Sequence, residues 1–188
     1  MRDSLISTFL TKNSQLNLSS LRDTEGVRIK HIMDSIEIQK IFPLQDWWTL
    51  CDVGTWGWFP LLPLAILYPR IQCVGIDARR KKIDAINDMI QELHISNAQV
   101  IRTRIQDFHQ QFDVVTARAV SYSTTLIPQV LHLLKPGGYL ILYKQTSEEE
   151  HADILFLCKK YDLHIAKEHH YHLFAGDIER ILYVLHKK

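Results

Sequence analysis

Two acidic residues and a glycine lie where a nucleotide-type cofactor could bind. Asp52 and Gly54 end the apolar run 49–53, and Asp77 ends a second apolar run, 72–77. Glycine permits a tight turn, and the helix N-terminus that follows such a turn offers free N–H groups to an anion. A carboxylate roughly 20 positions further on can accept hydrogen bonds from both hydroxyls of a ribose. The order of these residues predicts a nucleoside-cofactor site, although an aspartate at a strand end also often caps the next helix.

The loop after Asp52 departs from the dinucleotide-binding pattern G-x-G-x-x-G. After Gly54 only Gly57 is a glycine, and Trp56 and Trp58 occupy positions where a cofactor needs a bare backbone. The departure argues against NAD. It also raises the question of whether an indole side chain fills the volume that a cofactor would need.

The elements that position these residues follow from the hydrophobic pattern. The predicted strands are 49–53, 72–77, 98–102, 112–117 and 139–143, and the predicted helices are 61–67, 79–93, 121–134 and 147–160. Strands that alternate with helices imply right-handed crossovers, so we expect an α/β fold with a mostly parallel twisted sheet and helices on both faces. Ligands of such sheets bind beyond the carboxyl ends of the strands, where strand order reverses. Both parts of the predicted cofactor site lie at those ends.

Two regions lie outside this alternation. The apolar runs 161–167 and 180–186 flank a turn at 175–177 and predict an antiparallel pair at one edge of the sheet. Residues 1–45 predict a helical N-terminal cover on a Rossmann-like core, residues 46–188, within a single domain. Apolar residues of the cover recur at helical spacing: Ile29, Ile32, Met33 and Ile36.

Composition narrows the class of protein. The chain has 188 residues, of which 46% are hydrophobic, and this fits one soluble domain with a sizeable core. A net charge of +1 demands no acidic partner, and no apolar run reaches membrane-spanning length. We expect a cytoplasmic, monomeric protein with three buried thiols and no contact with a membrane. We also expect no metal site, because no cysteine or carboxylate framework surrounds the histidines near the end, His164, His169, His170 and His172.

Longer motifs point to one family. A Pro-Gly-Gly turn before an apolar strand, as in "LKPGGYLIL" (134–142), is common in Rossmann-like class I methyltransferases. Six stretches then follow one another over nearly the whole chain: "NLSSLRD" (17–23), "KHIMDS" (30–35), "DVGTWGWFPLLPLAI" (52–66), "VVTARAV" (114–120), "LLKPGG" (133–138) and "YKQTSEEE" (143–150). With these motifs the sequence resembles the bacterial small-subunit rRNA guanine-N7 methyltransferases, the RsmG or glucose-inhibited division protein B (GidB) family.

The resemblance implies a cofactor, a substrate and a set of residues. The cofactor would be S-adenosyl-L-methionine, and the methyl acceptor would be guanine N7 in small-subunit (16S) rRNA. The implied cofactor contacts are Gly54, Phe59, Asp77, Ile105, Gln106 and Arg118. Arg118 is also the implied catalytic residue on the substrate side, and the RNA candidates are His31, Asp34 and Lys144. The family often has Ala-Glu in place of Ile105-Gln106, which implies altered recognition of the adenine.

The family has glycines where this chain has Trp56 and Trp58, so both tryptophans are candidates for blocking the pocket. If the pocket is blocked, the protein would be a methyltransferase-like RNA-binding module that has lost cofactor binding. A small-molecule methyltransferase on the same fold is a further alternative, and the RNA-family motifs argue against it. The two indoles could instead be core residues. A third interpretation is a codon difference: all four tryptophans lie within residues 47–58, and a gene that uses UGA for glycine would give this cluster if UGA were read as tryptophan.

Overall fold

The computed structural model describes residues 2–17, 19–55, 58–173 and 178–188. The helices are α1 (Arg2–Leu16), α2 (Thr24–Val27), α3 (Asp34–Ile36), α4 (Leu61–Leu67), α5 (Arg80–Glu92), α6 (Ser123–Val130) and α7 (Glu148–Lys160). The strands are β1 (Thr49–Val53), β2 (Gln72–Asp77), β3 (Ala98–Arg102), β4 (Phe112–Arg118), β5 (Leu134–Gln145), β6 (Leu163–Leu173) and β7 (Ile178–Lys187). Trp56 and the predicted turn at 175–177 lie outside the described residues.

The seven strands form one sheet in the order β3-β2-β1-β4-β5-β7-β6. The first five strands run parallel, and β7 is antiparallel to both β5 and β6. This confirms the predicted α/β fold with an antiparallel C-terminal edge. Strand order reverses at β1, which pairs with β2 on one side and with β4 on the other, so the carboxyl ends of β1 and β4 are the expected place for a ligand.

Each face of the sheet carries a hydrophobic core, because successive strand residues point to opposite faces. Val114 belongs to the core beneath α1, α4 and α5, and its neighbour Val115 belongs to the core beneath α6 and α7. Phe9 of α1 is fully buried in the first core. The helical N-terminal region therefore covers one face of the sheet, as its apolar spacing predicted.

The stretch that follows α2 is helical but irregular. Asp23 caps α2 by accepting a hydrogen bond from the Gly26 N–H at 2.6 Å. A π-helical turn, Arg28–Met33, then leads into α3, and the 3-10 turn Glu37–Lys40 ends the segment. Single π-helical turns often accompany functional sites because they re-aim side chains. Here the π-helical turn carries Lys30 and His31.

Strand β5 is longer than predicted. Phe112 of β4 already pairs with Leu134, and the regular register resumes at Val114 and Tyr139. The Pro-Gly-Gly turn therefore forms an irregularity inside the strand, with Gly137 at φ 74°. The predicted helix 121–134 is correspondingly shorter and ends in a 3-10 turn, Leu131–Leu133.

Candidate active site

A cavity of about 260 Å³ lies beyond the carboxyl ends of β1, β2 and β3. Gly54, Asp77, Ile105 and Gln106 all line it. Four of the six implied cofactor contacts, far apart in the sequence, are thus brought to one cavity. The parallel register of the three strands accounts for this, because it places their ends at the same edge of the sheet.

The backbone at Gly54 explains why a glycine follows β1. Its φ is +65°, which lies in the left-handed region that L side chains rarely adopt. Its N–H donates to the Ile76 carbonyl at 2.9 Å. A Cβ built at this position would lie 3.0 Å from Cγ2 of Val120. The turn after β1 is therefore tight against β2 and against the residues that follow β4.

Asp77 and the turn after β3 form the opposite wall. One oxygen of Asp77, Oδ1, accepts a hydrogen bond from the Arg79 N–H at 2.8 Å, so the carboxylate also supports the start of α5. Ile105 and Gln106 lie in a short 3-10 turn. A ring nitrogen of His132, Nε2, lies 3.1 Å from the Ile105 carbonyl oxygen and ties this turn to the Leu131–Leu133 turn.

This lining suits the adenosine part of S-adenosylmethionine. The Asp77 carboxylate is an acceptor for ribose hydroxyls, and Ile76 and Ile105 provide apolar surface for a purine. A second cavity of about 360 Å³ shares Gly54 and Asp77 and extends to Ala119 and Val120, the residues after β4. The two cavities together lead from the adenosine wall to the end of β4.

Arg118, the last residue of β4, connects the sheet to the N-terminal cover. Its Nη1 donates to Asp34 Oδ2 at 2.9 Å, and its Nη2 lies 3.0 Å from His31 Nδ1. Phe59 lies against the guanidinium at 5.7 Å from its ring centroid. The side chains are 9% exposed for Arg118 and 2% for Asp34. The pair is buried, and breaking such a pair leaves an uncompensated charge.

Two residues that the sequence did not single out complete this cluster. Tyr171 donates its hydroxyl hydrogen to Asp34 Oδ1 at 2.6 Å, and Arg180 Nη2 lies 3.5 Å from Asp34 Oδ2. Both residues come from the β6–β7 hairpin. No local motif marks them, because their role depends on how the hairpin packs against α3. A cavity of about 200 Å³ lies here and is lined by Arg118, Arg180 and Ala119 among others.

His31 contacts its surroundings through both ring nitrogens. Nδ1 lies 3.0 Å from Arg118 Nη2, which only donates, and 3.1 Å from the Lys30 carbonyl oxygen, which only accepts. Nε2 lies 3.1 Å from the Ser19 hydroxyl oxygen. Burial and the Arg118 charge lower the pKa of His31 from 6.5 to about 3. His31 is therefore a neutral group that orients Arg118, and we assign it no role as a base.

The lowered pKa predicts a pH dependence of stability. The unfolded chain binds a proton on His31 that the folded chain excludes, so stability is fully present above about pH 6.5 and is lost as the pH falls from there toward 3. Urea unfolding of wild type and of His31→Gln at pH 7.5 and pH 5 measures this. We expect the variant to lose less stability on acidification than wild type. Equal losses in the two proteins would contradict the assignment.

Asp52 lies in the core beside the glycine turn. Thr116, its partner across β1 and β4, donates to Oδ1 at 2.7 Å. Burial raises the pKa of Asp52 to about 7 against the effect of the Thr116 hydrogen bond. Oδ2 has no hydrogen-bond partner among the described residues. Asp52 therefore holds the ends of β1 and β4 together behind the cofactor cavity.

Phe59 and Trp58 lie in the core beneath the cofactor loop. The Phe59 ring stacks on His31 at a centroid distance of 4.6 Å, and Trp58 packs edge-on against Phe9 at 5.0 Å. Neither residue lines the cavities described above. The Trp58 side chain is fully buried. In this geometry it acts as a core residue, while the effect of Trp58 on cofactor affinity stays a prediction and Trp56 is not described.

The backbone of the tryptophans bears on the codon interpretation. Trp58 has φ +72° and Trp47 has φ +68°. Glycine adopts this left-handed region without strain, whereas a bulky side chain does so at a cost of about 1–3 kcal/mol. Two of the three described tryptophans thus occupy conformations that favour glycine. Reading the codons for residues 47, 56 and 58 in the gene tests the interpretation directly.

Lys144 and the C-terminal histidines His169 and His170 each contact a carboxylate of the protein. Lys144 lies on the side of Val120 that faces away from Gly54 and Asp77. There it forms an ion pair with Glu150. His169 contacts Glu37, and His170 contacts Glu168.

Among the described residues, no three His, Cys, Asp or Glu side chains are grouped so as to hold a metal ion. None of the helices in the described ranges is long and apolar enough to cross a membrane.

Sequence comparison identifies relatives over nearly the full chain. The family model described as rRNA small subunit methyltransferase G matches residues 3–181. The ribosomal RNA small subunit methyltransferase G of Lysinibacillus sphaericus (strain C3-41) is 32% identical over 182 residues, which cover 93% of this chain and 76% of the relative. The protein of the same name from Staphylococcus aureus (strain bovine RF122 / ET3-1) is 31% identical, with 94% and 76% covered.

Solved structures show the same fold at low sequence identity. A SAM-dependent methyltransferase from Aquifex aeolicus superposes with a TM-score of 0.67 at 15% identity and covers 94% of this chain and 97% of its own. The N-methyltransferase NodS from Bradyrhizobium japonicum, in complex with S-adenosyl-L-homocysteine, superposes with a TM-score of 0.61 at 14% identity, with 97% and 96% covered. Both structures support the class I methyltransferase fold.

Proposed function

Because the chain belongs to the rRNA small subunit methyltransferase G family, we propose that it transfers a methyl group from S-adenosylmethionine to N7 of a guanine in small-subunit rRNA. One observation carries the proposal beyond family membership. Gly54, Asp77, Ile105 and Gln106 meet in one cavity, which begins at Gly54 beside the point where the strand order reverses. Open α/β sheets bind their ligands at such points.

The chemistry asks little of the protein beyond positioning. S-adenosylmethionine supplies a methyl group that is already activated on a sulfonium. Guanine N7 has an in-plane lone pair and carries no proton, so no general base is needed. This agrees with a neutral His31, which lies beside Arg118 and to which we assign no role as a base. The residues of the chain then have to hold the base in line with the methyl group and exclude water.

Arg118 is the residue that connects the parts of this site. Its guanidinium lies at the end of β4, next to Ala119, which lines the cavity that continues from the cofactor wall. The planar fork suits acceptors such as a phosphate or guanine O6, and it leaves the N7 lone pair for the methyl group. Because Asp34 and His31 already orient the fork, little side-chain entropy remains to be lost when the substrate binds. The target base must be single-stranded or splayed out of a helix to reach this position.

The proposal is tested by methylation of rRNA in vitro. Purified protein is incubated with methyl-labelled S-adenosylmethionine and with small-subunit rRNA that lacks the modification, both free and in assembled subunits. The RNA is then digested to nucleosides and separated by mass. We expect 7-methylguanosine. Label on another atom would contradict N7 specificity, and no label in either RNA form would contradict the proposed activity. We propose further that the protein acts in the cytoplasm as a monomer.

Asp77 provides a prediction about cofactor binding alone. Asp77→Ala should weaken the binding of S-adenosylhomocysteine by about 1–3 kcal/mol, because charge-assisted hydrogen bonds to the ribose are lost. Asp77→Asn separates this role from the support of α5, since an amide oxygen still accepts from the Arg79 N–H. Calorimetry on the three proteins measures the affinities. An affinity of Asp77→Ala equal to that of wild type would reduce Asp77 to a turn residue.

A further inference from the structure

A further cavity is lined by Val120 together with residues other than Gly54, Asp77, Ile105 and Gln106. It has a volume of about 350 Å³ and lies beyond the carboxyl ends of β4 and β5. Its walls are formed by residues 119–122 and by Lys144, Gln145, Ser147 and Glu150. The volume falls within the range of sites for small organic groups.

This cavity adjoins the cofactor site. Ala119 and Val120 line both it and the cavity that extends from Gly54 and Asp77. A group bound in this cavity would therefore be separated from the cofactor site only by Ala119 and Val120. Ala119 has φ +52°, so the chain changes direction between the two cavities.

Tyr122 stands at the edge of this cavity with 76% of its surface exposed. Single exposed aromatic residues are normal on protein surfaces, so exposure alone does not indicate a site. The backbone around Tyr122 provides the second observation. It is held on both sides by one buried ion pair, that of Lys144 with Glu150.

Lys144 and Glu150 form hydrogen bonds with the residues on either side of Tyr122. Lys144 Nζ donates to the Ser121 carbonyl at 2.9 Å. Glu150 Oε1 accepts from the Ser123 N–H at 3.0 Å and from the Ser123 hydroxyl at 2.6 Å. The side chains of Lys144 and Glu150 are only 13% and 11% exposed. The exposed Tyr122 ring is thus attached to backbone that is held by hydrogen bonds on both sides. This reduces the conformational entropy that the protein loses when a flat ligand stacks on the ring.

We propose that Tyr122 is the platform on which the target guanine of the RNA stacks, and that the Lys144–Glu150 pair positions it. The proposal rests on the proposed function and names the part of the site that holds the base. An unpaired base exposes two aromatic faces, and proteins bind such bases by stacking them on tyrosine rings. The occupant is a purine of the rRNA because the cavity opens next to the cofactor site and on the side of the sheet edge where Arg118 lies. Lys144 is then a positioning residue, and its ammonium is engaged by the protein itself.

The test compares four proteins: wild type, Tyr122→Phe, Tyr122→Ala and the control Phe156→Ala. Phe156 is a matched control because it is another exposed aromatic residue, 63% exposed, on the surface of α7. Three quantities are measured for each: the affinity for S-adenosylhomocysteine, the affinity for unmethylated small-subunit rRNA in its presence, and kcat/KM for methyl transfer.

Stacking predicts a specific pattern. Tyr122→Ala should lower kcat/KM and RNA affinity by roughly 5- to 160-fold, which corresponds to the loss of one base–aromatic stack. Its affinity for S-adenosylhomocysteine should equal that of wild type. Tyr122→Phe should behave as wild type because the ring remains, and so should Phe156→Ala.

The outcomes separate this inference from the proposed function. Equal RNA affinity and equal turnover in Tyr122→Ala and wild type would overturn the stacking role, as would a Tyr122→Phe variant as defective as Tyr122→Ala. A wild-type protein that binds the RNA through Tyr122 but transfers no methyl group would contradict the proposed activity and leave the platform standing.

Discussion

Replacing Arg118 with alanine is expected to abolish methyl transfer and also to lower the free energy of unfolding by about 3 kcal/mol, since the loss of one partner from a buried ion pair typically costs 3–5 kcal/mol. The change leaves Asp34 buried with Tyr171 at 2.6 Å and the more distant Arg180 at 3.5 Å. These two remaining donors place the expected loss at the low end of the range. The substitution would also remove the contacts of β4 with His31 and with the Lys30 carbonyl of the π-helical turn.

Stability and activity are measured separately in this experiment. Urea unfolding reports the first, and rRNA methylation at a temperature where the variant is folded reports the second. Arg70→Ala is the control, because Arg70 forms an exposed ion pair with Asp46 and exposed pairs contribute about 0–1 kcal/mol. A folded Arg118→Ala variant with full activity would remove Arg118 from the site.

Arg118→Lys distinguishes charge from geometry. A lysine can keep the ion pair with Asp34, but it lacks the fork that reaches His31 and Asp34 together. We expect stability close to wild type and methyl transfer that remains strongly impaired. Recovery of both properties would show that a positive charge at this position is sufficient.

Replacing Trp58 with glycine should destabilise the fold by about 2 kcal/mol, because two large effects oppose each other. Loss of a fully buried aromatic side chain costs about 3–5 kcal/mol, and here it would leave a void beside Phe9. Relief of the left-handed backbone at φ +72° returns about 1–3 kcal/mol. The first effect is the larger, so the packed indole outweighs the strain that it imposes.

Trp58→Ala isolates the backbone contribution. Alanine removes the same packing but keeps a Cβ in the left-handed region, so it should be less stable than the glycine variant by about 1–2 kcal/mol. Urea unfolding of the three proteins gives both differences. If the alanine and glycine variants are equally stable, the positive φ of this residue is contradicted.

The same variants decide whether Trp58 obstructs the cofactor. Since the indole lies in the core and lines none of the described cavities, we expect wild type to bind S-adenosylhomocysteine with the affinity of Trp58→Gly. If only the Trp58→Gly variant binds S-adenosylhomocysteine, the hypothesis that Trp58 blocks the pocket is supported. Binding by neither protein would favour an RNA-binding module without a cofactor.

The sequence by itself determined the framework of this protein. Residues that alternate between the two faces of a strand, such as Val114 and Val115, and runs of helical spacing are local patterns, so the order of strands and helices could be predicted from them. The positions of Gly54 and Asp77 at strand ends marked them as cofactor candidates, and the family motifs added Ile105 and Gln106; the fold brings the four residues to one cavity. The order of the elements could be predicted because it depends on spacing along the chain.

The tertiary structure alone decided how the substrate side is built. Asp34 was a candidate for RNA contact, but Tyr171 and Arg180 reach it from 137 and 146 residues away in the chain and bury it. Lys144 was a second such candidate, yet its ammonium fixes the backbone beside Tyr122. The partner of a charged side chain is set by which elements pack together. No spacing along the chain encodes that.

Trp58 shows the same division at a single residue. Its position in the motif indicated a glycine site, and the left-handed φ agrees with that conformational need. The direction of its side chain depends on the N-terminal helix, because Phe9 of α1 forms the surface against which the indole packs. A loop motif specifies the path of the backbone, whereas the destination of a large side chain is decided by the volume that distant elements leave for it.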